Sequence, residues 1–320
     1  MKVSVFGYGR WGSFICWYLD KINVNTLIYG RPSEKFEEFK KTRKSAFVEI
    51  SKKTIITDSL SEAVDFSDIF VIAVSAQSLR EFTKSLKQHD LTNKRVVLCM
   101  KGIESDTGKR LSEIIEEELS LPCAIWVGPG HPEDFTRGIP NCMVIDSEDE
   151  HFKVELLERF SSDLIRFYYG SDLIGNEIGA ASKNVVGIAA GMLDGTGLSA
   201  LKGALMSRGT REISRLIKAM GGNELSAYGL CHLGDYEATV FSKHSHNRMF
   251  GESFVQDKRY DLLAEGVETS VAMMILSKRY NTELPICKAV YSILYEDAEP
   301  KAELIKLLNR EQKSEFYSKV

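Results

Sequence analysis

Between residues 178 and 193 the sequence reads IGAASKNVVGIAAGML, and its only charged side chain is Lys183. The other residues are small or apolar on every side, which is the pattern of a buried helix. A lysine in such a helix either snorkels to a surface along its alkyl stem or faces a cavity. In a cavity, desolvation disfavours the ammonium and moves its pKa toward the range of a general acid or base. Asn184, beside it, favours the cavity. A second polar stretch, residues 228–251, reads YGLCHLGDYEATVFSKHSHNRMFG and lacks regular periodicity. It is expected to be a long loop in which Asp235, Thr239, Ser245, His246, Asn247 and Arg248 converge on an anion and its hydroxyl neighbours; an ordinary polar surface loop is the alternative.

The third chemical signal opens the chain. MKVSVF runs into GYGRWG, placing Gly7, Gly9 and Gly12 in a G-x-G-x-x-G pattern after a strand and before a helical stretch. In that context Gly7 permits the tight turn and Gly9 lets backbone approach a pyrophosphate. Gly12 lets helix and strand pack closely, with the phosphates at the helix N-terminus. The next strand ends LIYGRPSEK with no acidic residue at its tip to hold a ribose hydroxyl. Arg31 stands there, followed by Ser33 and Lys35. A guanidinium and a hydroxyl suit a 2′-phosphate, so NADP(H) is favoured and NAD(H) stays open; Arg31 as a solvated loop residue is the plainer alternative.

These groups need elements to carry them. Apolar runs at 2–6, 26–29, 69–74, 96–100, 124–127 and 142–145 alternate with amphipathic stretches such as 76–88 and 107–119. That repetition predicts an α/β fold, a Rossmann-type parallel sheet with helices on both faces. From about residue 171 the strand signals stop, and helical patterns follow at 176–193, 201–220 and 260–280, then a charged terminal segment from Glu299. Two domains are therefore expected, 1–171 for nucleotide binding and an all-helical 172–320 for substrate and catalysis. The net charge of −4 and pI near 6.0 give no basic surface for nucleic acid. Six cysteines are scattered without metal-ligand spacing, which predicts buried reduced thiols, no metal and no disulfide framework. Glycines and an arginine interrupt the N-terminus where a signal segment would be apolar, and no long apolar run predicts membrane insertion; a cytoplasmic protein is expected.

Taken in order, FGYGRWG, VIAVSAQSLREF, KGIE, GPG, EIGAASKNVVGIAAGMLDGTG, MSRGTREISRL, GLCHLGDYEAT, SHNRMFG and AEGVETSVAMMILSKRYNTELPI resemble the bacterial NAD(P)-dependent glycerol-3-phosphate dehydrogenase family. The resemblance spans all but about the last twenty residues. It implies a second domain like the C-terminal domain of 6-phosphogluconate dehydrogenase, a phosphorylated three-carbon substrate and a homodimer. It further implies Lys183 as the group that exchanges a proton with the substrate hydroxyl or ketone. Lys101 would touch substrate and cofactor. Gly128, Asn184, Asp235, Thr239, Ser245, His246 and Asn247 would line the substrate site. Gly7, Gly9, Arg10, Trp11, Gly12, Arg31, His246 and Glu265 would serve the cofactor.

Three departures stand out. The family usually reads SRN where this chain has Ser245–His246–Asn247, and that arginine forks onto the substrate phosphate. A histidine, with an ordinary pKa near 6.5, is no equivalent of an always-charged bidentate donor. Gly130 and His131 follow Gly128–Pro129 where serine or threonine is usual, and His232 replaces a glycine in GLCHLGD. Arg248 or Lys243 is a candidate for the missing charge. The implied reaction is reversible reduction of dihydroxyacetone phosphate to sn-glycerol 3-phosphate with NAD(P)H, feeding glycerophospholipid synthesis. The alternatives are a related dehydrogenase for another small 2-oxo or 2-hydroxy substrate, and a non-catalytic NADP(H)-binding regulator.

Overall fold

The computed structural model describes residues 1–311, 314 and 315. The last few residues of the charged segment expected from Glu299 lie outside them. Eight strands form one sheet: β1 (Lys2–Phe6), β2 (Asn25–Tyr29), β3 (Ile55–Thr57), β4 (Ile69–Ile72), β5 (Arg95–Leu98), β6 (Cys123–Val127), β7 (Asn141–Ser147) and β8 (Ile165–Tyr169). Their order is β3-β2-β1-β4-β5-β6-β7-β8. Six of the expected runs are strands. Two strands went unread, β3 because it has three residues and β8 because, at the sheet edge, it buries only Ile165 and Phe167. The sheet is also not wholly parallel. β7 runs antiparallel to β6, and β8 pairs parallel to β7.

Helices α1 (Arg10–Lys21), α2 (Glu34–Thr42), α3 (Leu60–Phe66), α4 (Leu79–Leu86), α5 (Leu111–Leu119), α6 (Pro132–Thr136) and α7 (Glu150–Phe160) flank the sheet. The helical half follows with α8 (Leu173–Gly195), α9 (Lys202–Ala219), α10 (His246–Phe254), α11 (Gly266–Arg279), α12 (Pro285–Tyr295) and α13 (Pro300–Lys306). The strand order reverses between β1 and β4, which is where open α/β sheets bind ligands beyond the strand C-termini.

α8 is the axis of the second half, with every residue from Glu177 to Leu193 buried. Its small residues explain how it is surrounded. A Cβ on Gly191 would stand 1.9 Å from the Arg248 carbonyl oxygen, and one on Gly251 would stand 2.1 Å from that of Ile188, so α8 and α10 cross backbone against backbone. α8 also ties the halves together. The Glu177 carboxylate accepts from Arg110 Nη1 at 2.6 Å, Ser112 N at 2.9 Å and Ser112 Oγ at 2.6 Å. Ala180 and Cys231 join the apolar cluster on one face of the sheet.

The stretch 228–251 is not the loop its composition predicts. It holds a 3₁₀ turn at Leu233–Asp235, a π-helical turn at Glu237–Phe241 and the start of α10. Short helices whose polar residues face a cleft show no amphipathic period, which hid them. Likewise the helix expected at 260–280 begins only at Gly266, whose N–H donates to Asn247 Oδ1 at 2.9 Å.

Candidate active site

The glycine turn fits its expected task. A Cβ on Gly7, whose φ is +113°, would lie 2.5 Å from the Ala73 carbonyl oxygen at the end of β4. One on Gly12 would lie 1.9 Å from the Gly7 carbonyl oxygen, whereas one on Gly9 would meet nothing within 4 Å. Two glycines thus pack the turn onto the sheet and the third leaves open space at the N-terminus of α1, as a pyrophosphate requires. On one side of Gly9 lies a cleft of about 430 Å³ lined by Gly7, Tyr8, Gly30, Arg31 and Ser78. On the other lies one of about 410 Å³. Gly9 and Val74 line both, so the two clefts form one trench on either side of the glycine turn. At its first end Arg31 pairs with Glu81 at 3.1 Å, both well exposed.

The second cleft gathers residues from across the chain: Trp11, Lys101, Lys183, Asn184, Asp235 and Thr239, with Ser245, His246, Asn247 and Glu265. Lys183 faces a cavity and does not snorkel. Its Nζ forms an ion pair with Asp235 Oδ2 at 2.7 Å and donates to Thr239 Oγ1 at 2.8 Å. Thr239 in turn donates to the Asp235 carbonyl at 2.8 Å, so its hydroxyl can only accept from the lysine. Lys101 Nζ reaches the same Asp235 Oδ2 at 2.7 Å and donates to the Gly128 carbonyl at 2.6 Å. Two lysines therefore share one buried carboxylate oxygen, leaving an excess positive charge. Burial, opposed by Asp235 and reinforced by Lys101, pushes Lys183 down to about 8.

Other expected site residues brace this centre. Asn184 Nδ2 donates to the Lys101 carbonyl at 2.9 Å. Ser245 caps α10, its Oγ accepting from Arg248 N at 3.3 Å. Asn247 holds the start of α11 through Gly266. Glu265 is half-buried beside Ala76, and desolvation raises it to about 7. Trp11 lies with its ring centroid 5.6 Å from Lys101 Nζ.

The departures resolve differently from one another. His232 is fully buried behind the cleft, its Nε2 2.7 Å from the Tyr236 hydroxyl and its Nδ1 2.9 Å from the Gly179 carbonyl. Burial lowers it to about 4, so it is a neutral packing residue. His246 lines the cleft, and burial together with Arg10 holds it below its ordinary value, which favours the neutral ring over an imidazolium. Neither candidate for the missing charge is at hand. Arg248 is bound to Asp194 at 2.8 Å and Glu252 at 2.9 Å, and Lys243 is exposed and away from the lining. Sequence reasoning passed over His131 and His244 as site residues, though both line the cleft. Three of the six histidines gather there, from positions too far apart in the chain to read as a cluster. Among the described residues no group of three or more His, Cys, Asp or Glu is arranged to hold a metal, and no helix is long and apolar enough to cross a membrane.

A nucleotide trench at the sheet's switch point, continuing into a lysine-centred cleft against a helical half, defines a dinucleotide-dependent dehydrogenase with a Rossmann-like first domain. Residues 2–153 match the model of the NAD-dependent glycerol-3-phosphate dehydrogenase N-terminus and residues 172–305 that of its C-terminus, so the chain belongs to that family. It is 36% identical to a glycerol-3-phosphate dehydrogenase (NAD(P)+) of Fusobacterium nucleatum over 333 aligned positions, covering 99% of each chain. Its identity to the Thermoanaerobacter enzyme of the same name is also 36%, with 99% of each covered. The crystal structure of glycerol-3-phosphate dehydrogenase from Coxiella burnetii superposes with a TM-score of 0.90 at 25% identity, over 97% of this chain and 99% of that one.

Proposed function

We propose that this protein reduces dihydroxyacetone phosphate reversibly to sn-glycerol 3-phosphate with NAD(P)H, in the cytoplasm, as a source of glycerophospholipid backbones. The observation that carries the reading is the buried Lys183 ammonium, held by Asp235 and Thr239 where the nucleotide trench ends. An ammonium has three protons. One is given to Thr239 Oγ1, the ammonium is held against Asp235 Oδ2 as an ion pair, and a proton remains for a substrate oxygen. Lys101 is in the same position, with Gly128 and Asp235 taking two of its protons. When bound, the reduced nicotinamide supplies hydride to C2 of the ketone. As negative charge develops on the ketone oxygen, Lys183 passes it a proton, and in the reverse direction the free amine accepts the hydroxyl proton. The excess positive charge stabilises the developing alkoxide and, in the ground state, favours an anionic substrate.

The family's NAD(P) dependence leaves the choice of nucleotide to Arg31. Its exposed pair with Glu81 is weak, and a ribose 2′-phosphate is the stronger partner, which supports NADP(H). We place the domain division at 171/172, between the end of β8 and the start of α8, and infer a homodimer from the family.

The test is steady-state oxidation of NADPH and NADH by dihydroxyacetone phosphate. Lys183→Ala should lose at least about 100-fold in kcat while its circular dichroism and NADPH affinity persist; full turnover would reject Lys183 as the acid. Arg31→Ala should raise KM for NADPH and leave that for NADH unchanged; equal effects would remove the case for NADP(H). A wild-type enzyme that prefers an unphosphorylated 2-oxo compound would favour the related-dehydrogenase reading that His246 motivates.

A further inference from the structure

A second polar cluster lines the catalytic cleft and takes no part in the chemistry above. Arg10, the first residue of α1, lines this cleft. Its Nη2 donates to Glu133 Oε2 at 2.6 Å and to His131 Nδ1 at 3.4 Å, both in the connection between β6 and β7. Since Nδ1 accepts, the proton of the neutral His131 ring sits on Nε2. That Nε2 and the Nε of Arg10 are both buried, and among the described residues neither has a partner. Two orphaned donors on contacting side chains, one of them on a guanidinium, lack acceptor oxygens. The surroundings match. The His131 ring packs edge-on against His244 at 5.8 Å, and Arg10, His131, His244, Ser245 and His246 line the same cleft as Lys101 and Lys183. Arg10 is the one arginine among those lining residues.

We propose that Arg10, backed by His131, is the clamp for the substrate's phosphate, supplied from the nucleotide-binding domain while Lys183 handles the ketone from the helical one. This rests on the phosphorylated-substrate reading. Glu133 balances Arg10 in the free protein, and its side chain is 31% exposed, so it can turn to water when a phosphate dianion takes its place. Arg10 then offers planar, paired donors to phosphate oxygens. The alternative is a hold on the cofactor pyrophosphate, whose expected place is also at the N-terminus of α1.

The experiment measures KM for dihydroxyacetone phosphate and, by fluorescence titration, the Kd of NADPH. It compares wild type with Arg10→Met and Arg10→Lys. Arg10→Met should raise KM for dihydroxyacetone phosphate by about 10- to 100-fold and cut the preference over unphosphorylated dihydroxyacetone by the same factor. NADPH Kd should stay within about threefold, less than one hydrogen bond to a charged group is worth. Arg10→Lys, which keeps the charge and loses the fork, should fall between. A raised NADPH Kd with an unchanged substrate KM would overturn the proposal, as would no change in either. Inorganic phosphate separates the two failures. It should raise the wild-type melting temperature and not that of Arg10→Met, even if dihydroxyacetone phosphate proves not to be the substrate. Equal protection of both would overturn the clamp alone.

Discussion

At the scale of single residues, the site depends on how one carboxylate serves two lysines. Asp235 Oδ2 draws Lys183 toward its charged form, while burial and Lys101 oppose it, and the balance sets Lys183 near 8. The sign of the pH dependence follows. Ketone reduction needs the ammonium, so kcat/KM for dihydroxyacetone phosphate should fall as pH rises through about 8. Alcohol oxidation needs the free amine and should rise over the same interval; parallel profiles in both directions would show that another group is the acid and base. Asp235→Asn should lower kcat for ketone reduction at neutral pH, because it removes the carboxylate that orients Lys183 and favours its ammonium form. Lys183 was legible because an isolated charge in a run of small residues is conspicuous. Arg10 was not, since the glycine pattern around it suggested a nucleotide contact and its partner Glu133 lies more than a hundred residues away. His246 was legible as a departure, but its neutral state follows from burial, which no spacing reports.

At the scale of elements, the positioning device is the crossing of α8 and α10. α8 carries Lys183 and Asn184; α10 begins at Ser245 and His246, and Asn247 within it caps α11. Gly191 and Gly251 set the distance between the two helices. A methyl group at Gly251 would collide with the Ile188 carbonyl, and Val would collide further, so Gly251→Val should destabilise by about 1–3 kcal/mol. It should also raise KM for substrate more than for NADPH, since α10 moves and the glycine turn does not. Denaturant unfolding and the two KM values check this; a stable variant with unaltered KM would show that α10 does not position the site. The glycine density of α8 was visible in the sequence. The helices of 228–251 were not, because a π-turn and a 3₁₀ turn that point polar groups into a cleft have no apolar stripe to detect. The strand pattern was legible where strands are central and failed at β3 and β8, on the two edges, where half or more of each strand meets solvent.

At the scale of the whole molecule, buried neutral histidine makes the fold acid-sensitive. His232 protonates near 6.5 when unfolded and about 4 when folded. Between those values the unfolded chain binds the extra proton, so stability falls as pH drops through that window, by at most about 3 kcal/mol from this group. His131, also held to about 4, adds to it with the same sign. Urea unfolding at pH 7 and 4.5 should show the loss, and His232→Gln should shrink it; an equal loss in the variant would place the sensitivity elsewhere. The joining of the halves has a consequence for biosynthesis. The sheet's last strand ends at Tyr169, yet the apolar cluster on one of its faces is completed by Ala180 and by Cys231, some sixty residues later. The carboxylate that satisfies Arg110 and Ser112 also arrives only with α8. A nascent chain released as far as β8 therefore lacks the last pieces of one apolar face and the Glu177 partner of Arg110 and Ser112. The nucleotide domain is thus finished only when the ribosome has delivered α8 and Cys231, and until then its unfinished edge is open to other partners.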